Sequence, residues 1–271
     1  MTAPLRLAVL GDPLRYTRSP DLHRAGAAAL GIACDSQAIR TPLEQLPATL
    51  ARLAAEGFTG CNVTLPLKHA ALAAVTRSTP AARRARSVNT VTFAAGGSEG
   101  DTTDGAGFVD LLTSLGRSAS TARVVLLGAG GSARSLALAL ADARGPAVQV
   151  ISRREPEPDE AWGGALGERW SAWGSAAADA VLAAAGVLVN CTPLGAGEPP
   201  AAPERIAHGA LVVDLTYGET VTPWVLAARA HGLEAVDGLG LLVHQARHSL
   251  ARWFGREVPL APLAAAVGWP R

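Results

Sequence analysis

Along the 271 residues, short apolar runs alternate with alanine-rich stretches whose apolar positions recur at helical spacing, the pattern of an α/β protein with mostly parallel sheets. In the first hundred residues this pattern predicts strands near 5–10, 34–39, 59–63 and 88–93, and helices opening at Pro20 and Pro42. Ser19 can cap a helix with Pro20 at its first position, and Thr41-Pro42-Leu43-Glu44 reads as a capping box with proline at the same favoured place. After Gly100 the pattern restarts with a helix near 105–115, followed by RVVLLGAGGSAR at 123–134, a strand running through a glycine-rich turn into a helix. A domain boundary is expected at that restart. Strands are expected again at 147–151, 186–190 and 210–214, a surface loop at EPEPDE (155–160), and helix over roughly 239–267, where HQARHSLARWF keeps helical spacing.

The length leaves room for two domains, each with its own core. Lys plus Arg is 24 against 23 for Asp plus Glu, so the overall field favours no polyanionic partner and nucleic acid is not expected as a ligand. No apolar run approaches the ~20 residues of a membrane span, and MTAPLRLAVLGDP reads as a buried strand ending in a Gly-Asp-Pro turn rather than as a leader. Cys34, Cys61 and Cys191 are odd in number and far apart, without metal-like spacing. They read as reduced, buried thiols of a cytoplasmic protein, and no metal is expected.

In the glycine-rich turn, Gly128, Gly130 and Gly131 stand where a buried strand gives way to a helix, with Ala129, Ser132 and Ala133 around them. Glycines there let the backbone approach a pyrophosphate, and a helix N-terminus offers free N–H groups and the positive end of its dipole. The third glycine of the usual fingerprint is Ala133, which such a turn tolerates. A tight turn with no ligand is the alternative. The end of the next strand carries Ser152, Arg153 and Arg154, where a ribose with a free 2′-hydroxyl is usually held by a carboxylate. Two guanidinium groups suit a 2′-phosphate instead, so NADP is preferred over NAD. The alternative is a pair of solvated arginines, with Glu155 beside them.

The first half holds polar residues with no evident core role. Thr17 and Ser19, in a loop that opens a helix, offer two hydroxyls to a carboxylate, although Ser19 also serves as a simple cap. CNVTLPLKHA (61–70) ends a strand with Asn62 and Thr64 and sets Lys68 just beyond the strand's C-terminal end, where ligands of open α/β sheets sit. SVNTVTF brings Asn89, whose amide both donates and accepts, and GDTTDGAGF brings Asp104 at a helix start, where capping is the plainer role.

The succession GDPLRYTRSPDLH, CNVTLPLK, SVNTV, GDTTDGAGF, VVLLGAGGSAR, NCTPLG, DLTYGETVTP and DGLGLLVHQA resembles the shikimate dehydrogenase family in order, spacing and content, from residue 11 to at least 246. The resemblance implies an α/β protein of two domains with a cleft between them: a substrate-binding domain, 1–103 plus 239–271, and a Rossmann-like NADP-binding domain, 104–238. It implies Lys68 and Asp104 as the catalytic pair, Thr17 and Ser19 on the substrate carboxylate, and Thr64, Asn89, Tyr217 and Gln245 as further substrate contacts. Thr192, Leu215 and Gly238 would border the nicotinamide. The expected partner is the small molecule shikimate or 3-dehydroshikimate, handled by a monomer or homodimer.

Against the family's usual residues, this chain has Thr17 for serine, Thr102 for asparagine, Arg86 for glycine, Pro80 for an acidic residue, and Ala196 and Leu241 for methionines. It also reads Ser-Arg-Arg where Asn-Arg-Thr is commoner. The alternative within the same chemistry is a quinate/shikimate-type paralogue with NAD use or a broader ring substrate, against which the arginine pair argues. A sensor that had lost its chemistry would be expected to lack Lys68 or Asp104, and both are present. A methylene-tetrahydrofolate-type dehydrogenase would not call for the Thr17 and Ser19 hydroxyls.

Overall fold

The computed structural model describes residues 4–14, 16–158, 162, 169–194 and 199–271. The chain forms two compact units, residues 1–107 with 242–269 and residues 108–241 with 270–271. In chain order the elements are β1 (Leu5–Gly11), α1 (Ser19–Ala29), β2 (Cys34–Arg40), α2 (Leu46–Ala55), β3 (Gly60–Val63), α3 (Lys68–Ala74), β4 (Arg77–Ser78), α4 (Pro80–Ala85), β5 (Thr90–Ala94), β6 (Gly97–Asp101) and α5 (Asp104–Ser114). They continue with β7 (Val124–Leu127), α6 (Gly131–Asp142), β8 (Gln149–Ser152), β9 (Trp170–Ala172), α7 (Ala176–Ala183), β10 (Val187–Asn190), β11 (Leu211–Asp214), α8 (Pro223–Ala230), β12 (Glu234–Val236), α9 (Leu239–Phe254) and α10 (Leu260–Val267).

In the first unit the strand order is β2-β1-β3-β5-β6-β4. β1 runs parallel to β2 and β3, but β5 is antiparallel to both β3 and β6. The hairpin β5–β6 departs from the expectation of alternating parallel strands. It turns through Gly96 and Gly97, at φ 94° and 133°, and the buried positions of GSEGD are Ser98 and Gly100, so the segment carries no apolar signal. Leu46, Leu50, Leu53, Phe58, Val63, Leu67 and Val91 pack into one core with β1. Gly26 on α1 allows close packing of the C-terminal helices, since a Cβ there would meet Leu250 Cδ1 at 2.6 Å and Leu263 Cδ2 at 3.2 Å.

Both helix-start readings shift in the structure. Arg18, not Ser19, stands at the cap of α1, and no side chain caps it. The capping box at Thr41 does not form: the Thr41 hydroxyl donates to the Ile39 carbonyl at 3.1 Å, residues 43–45 make a short 3-10 turn, and α2 opens at Leu46. The helical stretch at 239–267 is two helices, parted at Gly255, φ 63°, with Pro259 at the cap of α10. Of the three thiols only Cys61 is buried, and burial pushes it well up; Cys34 is half-buried and raised to about 11 by burial and by Asp35, while Cys191 is half-buried.

Among the described residues of the second unit every strand is parallel, in the order β12-β11-β10-β7-β8-β9. VVLL, VLVN and LVVD are buried at every position, as a sheet covered on both faces requires. The order reverses between β7 and β10, which makes their C-terminal ends a topological switch point. The three-residue strands β9 and β12 were too short to show in the pattern.

Candidate active site

In the first unit, Lys68 opens α3 just after β3 and Asp104 opens α5. The Lys68 ammonium donates to Asp104 Oδ2 at 2.6 Å, with the lysine side chain 18% exposed and the carboxylate 6%. Asn89 Nδ2 donates to Asp104 Oδ1 at 2.7 Å and lies 3.0 Å from Thr103 Oγ1 and 3.3 Å from Gln245 Oε1. Gln245 reaches this group because Gly107 has no side chain: a Cβ there would lie 2.5 Å from the Gln245 main-chain nitrogen and 2.7 Å from its Cα. The structure therefore brings Lys68, Asn89, Asp104 and Gln245 together. Thr17 and Ser19 are coupled to each other, the Ser19 N–H donating to Thr17 Oγ1 at 3.3 Å. Thr64, half-buried after β3, lies against Gly11, where a Cβ would meet Thr64 Cγ2 at 2.5 Å.

Behind this cluster lies a buried polar chain of which the motifs had singled out only Asn62 and Asn89. Asn89 Oδ1 accepts from the Thr103 N–H at 2.9 Å and from the Thr90 hydroxyl at 3.0 Å. Ser249 Oγ is 2.7 Å from Thr90 Oγ1 and 3.2 Å from Thr103 Oγ1, and accepts from Asn62 Nδ2 at 3.2 Å. Asn62 Nδ2 also donates to the Asn89 carbonyl at 3.0 Å, which fixes its amide so that Oδ1 faces His23 Nε2 at 2.8 Å. The imidazole must then carry its proton on Nε2 and accept at Nδ1 from the Ser36 hydroxyl, 2.7 Å away. Burial lowers the His23 pKa to about 4; the Asn62 bond opposes that shift and Arg24 adds to it. For Thr90 and Ser249 the sequence cue was position: Thr90 follows Asn89, and Ser249 lies one helical turn after Gln245.

In the second unit, the glycine-rich turn sits at the switch point. Gly128 has φ 98°, and a Cβ there would meet Thr192 Cγ2 at 2.7 Å, so glycine is required by backbone and packing alike. Gly130 differs. Its φ −76° and ψ −174° suit any residue, and a Cβ there would meet nothing within 4 Å. It caps α6 without a side-chain bond, whereas Ser175 and Thr222 cap α7 and α8 with their hydroxyls. A bare helix start beside open space fits a pyrophosphate. Ala133 is buried within α6, and Gly131 and Ser132 form its first turn.

Arg153 and Arg154 are exposed just beyond β8, and Ser152 ties them down: its hydroxyl donates to the Arg154 carbonyl at 2.5 Å and accepts from Trp170 Nε1 at 3.1 Å. These residues fit a 2′-phosphate. At the ends of β10 and β11, Asn190 and Asp214 organise the loops that follow. Asn190 Oδ1 accepts from the Thr192 N–H and hydroxyl at 3.0 and 2.7 Å, and Asn190 Nδ2 donates to Asp214 Oδ1 at 2.9 Å. Gly238 lies against the backbone of Leu215 and Thr216, where a Cβ would come within 2.8 Å of the Leu215 carbonyl carbon. Thr192, Leu215 and Tyr217 are half-buried. Among the described residues, no group of three His, Cys, Asp or Glu is placed to hold a metal ion, and no helix is long and apolar enough to cross a membrane.

Residues 9–91 match the family model of the shikimate dehydrogenase substrate binding domain, and residues 238–267 that of the shikimate 5′-dehydrogenase C-terminal domain. The shikimate dehydrogenase (NADP(+)) of Gluconobacter oxydans is 41% identical over 255 residues, 91% of this chain and 89% of that one. The chain belongs to the shikimate dehydrogenase family. Among solved structures, the shikimate 5-dehydrogenase of Thermus thermophilus in complex with NADP(H) and shikimate matches with a TM-score of 0.84 at 33% identity, covering 97% of this chain and 98% of that one. The 5-ketofructose reductase of a Gluconobacter strain matches with a TM-score of 0.81 at 26% identity, covering 98% of each, so the scaffold alone does not select the ring substrate.

Several of this chain's departures from the usual family residues have a visible setting. Arg86 caps α4 in the left-handed region, φ 48° and ψ 41°, a position that favours the glycine common in the family. Pro80 takes the first turn of α4 behind Thr79, whose hydroxyl caps the helix and donates to Asp101 at 2.5 Å. Leu241 is buried, Thr17 and Thr102 are half-buried, and Ala196 lies outside the described residues.

Proposed function

We propose that this chain is an NADP-dependent shikimate dehydrogenase that interconverts 3-dehydroshikimate and shikimate in aromatic amino acid (chorismate) biosynthesis, in the cytoplasm. The first unit serves as the substrate-binding domain and the second as the NADP-binding domain. The observation that carries this reading is the 2.6 Å Lys68–Asp104 pair, joined to Asn89 and Gln245.

Gly128, Ala129, Gly130, Gly131, Ser132 and Ala133 would receive the pyrophosphate of NADPH, Ser152, Arg153 and Arg154 its 2′-phosphate, and Thr192, Leu215 and Gly238 would border its nicotinamide, which would supply the hydride. In the reduction direction Lys68 gives a proton to the oxygen of the ring carbonyl as the carbon becomes a secondary alcohol, and its charge stabilises the developing alkoxide. In the oxidation direction it takes that proton back. Asp104 holds the lysine through Oδ2 and accepts from a neighbouring ring hydroxyl, while Asn89 keeps the carboxylate from turning through its bond to Oδ1.

Thr17 and Ser19 hold the substrate carboxylate, and Thr64, Tyr217 and Gln245 complete the hydroxyl contacts. Such a set favours rings that carry the matching hydroxyls over analogues that lack one. The test is an initial-rate assay with shikimate or quinate against NADP or NAD, following the reduced-nicotinamide absorbance. Fastest turnover with shikimate and NADP supports the proposal. Preference for NAD or quinate would replace it with the quinate/shikimate-type reading, and no NADP reduction with shikimate would remove it.

A further inference from the structure

Arg271 belongs to none of the motifs, yet its guanidinium is among the most heavily bonded groups of the second unit. Nε and Nη2 donate to Asp237 Oδ2 at 2.9 and 2.7 Å, Nη1 donates to the Glu219 carbonyl at 3.0 Å, and Nη2 lies 3.0 Å from the carbonyls of both Gly218 and Thr220. The arginine side chain is 20% exposed and the Asp237 carboxylate 2%. Arg229 fixes this group from behind, donating to the main-chain oxygen of Arg271 at 2.8 Å and to the Ala235 carbonyl at 2.9 Å.

Three successive carbonyls facing one point repel one another unless a cation with several directed donors sits among them. A planar guanidinium meets that demand and a point ammonium does not. On the near side of the same loop, Asp214 accepts from the Thr216 N–H and hydroxyl at 3.0 and 2.9 Å and from the Thr222 hydroxyl at 2.8 Å. Tyr217 therefore stands between two fixed points. Asp237 also accepts from the Leu239 N–H at 3.1 Å, and Gly238, between them, donates to the Thr216 carbonyl at 2.9 Å.

We propose that Arg271 is a positioning residue for the reaction: by tying the Gly218–Thr220 carbonyls to Asp237 it sets Tyr217, Leu215 and Gly238 as one piece. The proposal rests on the reading that these three residues face the nicotinamide and the substrate. It predicts a division within the cofactor site, because the turn at Gly128–Ala133 and the Arg153–Arg154 pair do not depend on Arg271.

The experiment compares wild type, Arg271→Ala and Arg271→Lys, measuring kcat/KM for shikimate with NADP and the Kd of 2′,5′-ADP, which presents only the adenosine end of the cofactor. Arg271→Lys keeps a cation beside Asp237 and so preserves the fold if truncation to alanine does not. The expected result is a loss in kcat/KM of about tenfold for alanine and several-fold for lysine, with 2′,5′-ADP binding within about twofold of wild type. Unchanged kcat/KM in the lysine variant, or an equal loss in 2′,5′-ADP affinity, overturns the proposal. A wild-type protein that binds 2′,5′-ADP but does not oxidise shikimate overturns the functional reading, and this proposal with it.

Discussion

The two units prepare for chemistry in opposite ways. In the first, side chains satisfy one another before any substrate is present: Lys68 on Asp104, Asp104 on Asn89, and Asn89 on Thr90 and Thr103, back to Asn62, His23 and Ser36. In the second, the central feature is bare backbone, a helix start capped by Gly130 with open space beside it. A ring with hydroxyls at fixed positions needs donors and acceptors held in direction, which buried networks provide. A pyrophosphate needs N–H groups and room, which glycine provides.

The hardest test of the pre-built side is Lys68→Ala. If Lys68 moves the proton, kcat falls about 10²- to 10⁴-fold while KM for shikimate changes little. Turnover within about threefold of wild type would take the proton transfer away from Lys68.

A second test asks whether the chain behind the pair is a neutral scaffold. His23 has its pKa lowered from 6.5 to about 4 by burial, so between those values the unfolded chain binds a proton that the folded unit does not. The stability this contributes is present above pH 6.5 and is lost as pH falls towards 4, amounting to about 3 kcal/mol at about 1.4 kcal/mol per pKa unit. His23→Gln keeps a donor for Asn62 and cannot titrate. Urea unfolding across that range is expected to show the gap between wild type and variant narrowing by about 3 kcal/mol towards acid. Parallel stability curves would mean that His23 is protonated in the folded unit and that the tautomer derived from Asn62 is wrong.

The same contrast explains what could be read from the sequence. The all-parallel second unit announced itself, because VVLL, VLVN and LVVD are uninterrupted apolar runs and the glycines punctuate the turn. In the first unit the motifs exposed Asn62, Lys68, Asn89, Asp104 and Gln245, but not the bonds that hold them together. Asn62, Thr90, Thr103 and Ser249 meet only after β3, β5, α5 and α9 are assembled, and Asn62 and Ser249 are 187 positions apart. The hairpin strand β6 escaped because its buried positions are serine and glycine, and the caps at Ser19 and Thr41 because proline fixed a turn near each helix without fixing its first residue. Arg271 had no motif at all, since its partners are backbone carbonyls, which every sequence offers equally.

The smallest predicted effect separates the two glycines of the bare-backbone side. At Gly128 an alanine must adopt φ 98° and press its Cβ to 2.7 Å from Thr192 Cγ2, so Gly128→Ala destabilises the second unit whether or not a ligand exists. At Gly130 the backbone is ordinary and the added methyl meets nothing, so Gly130→Ala leaves thermal stability within about 0.5 kcal/mol of wild type. If the space beside Gly130 is where the pyrophosphate lies, the same methyl weakens NADP binding by about tenfold, since a close approach to the helix N–H groups is what glycine permits there. Calorimetric titration of the variant with NADP decides it: wild-type affinity would mean that Gly130 is only a turn residue and that the pyrophosphate, if bound at the switch point, is held by Gly131 and Ser132 alone.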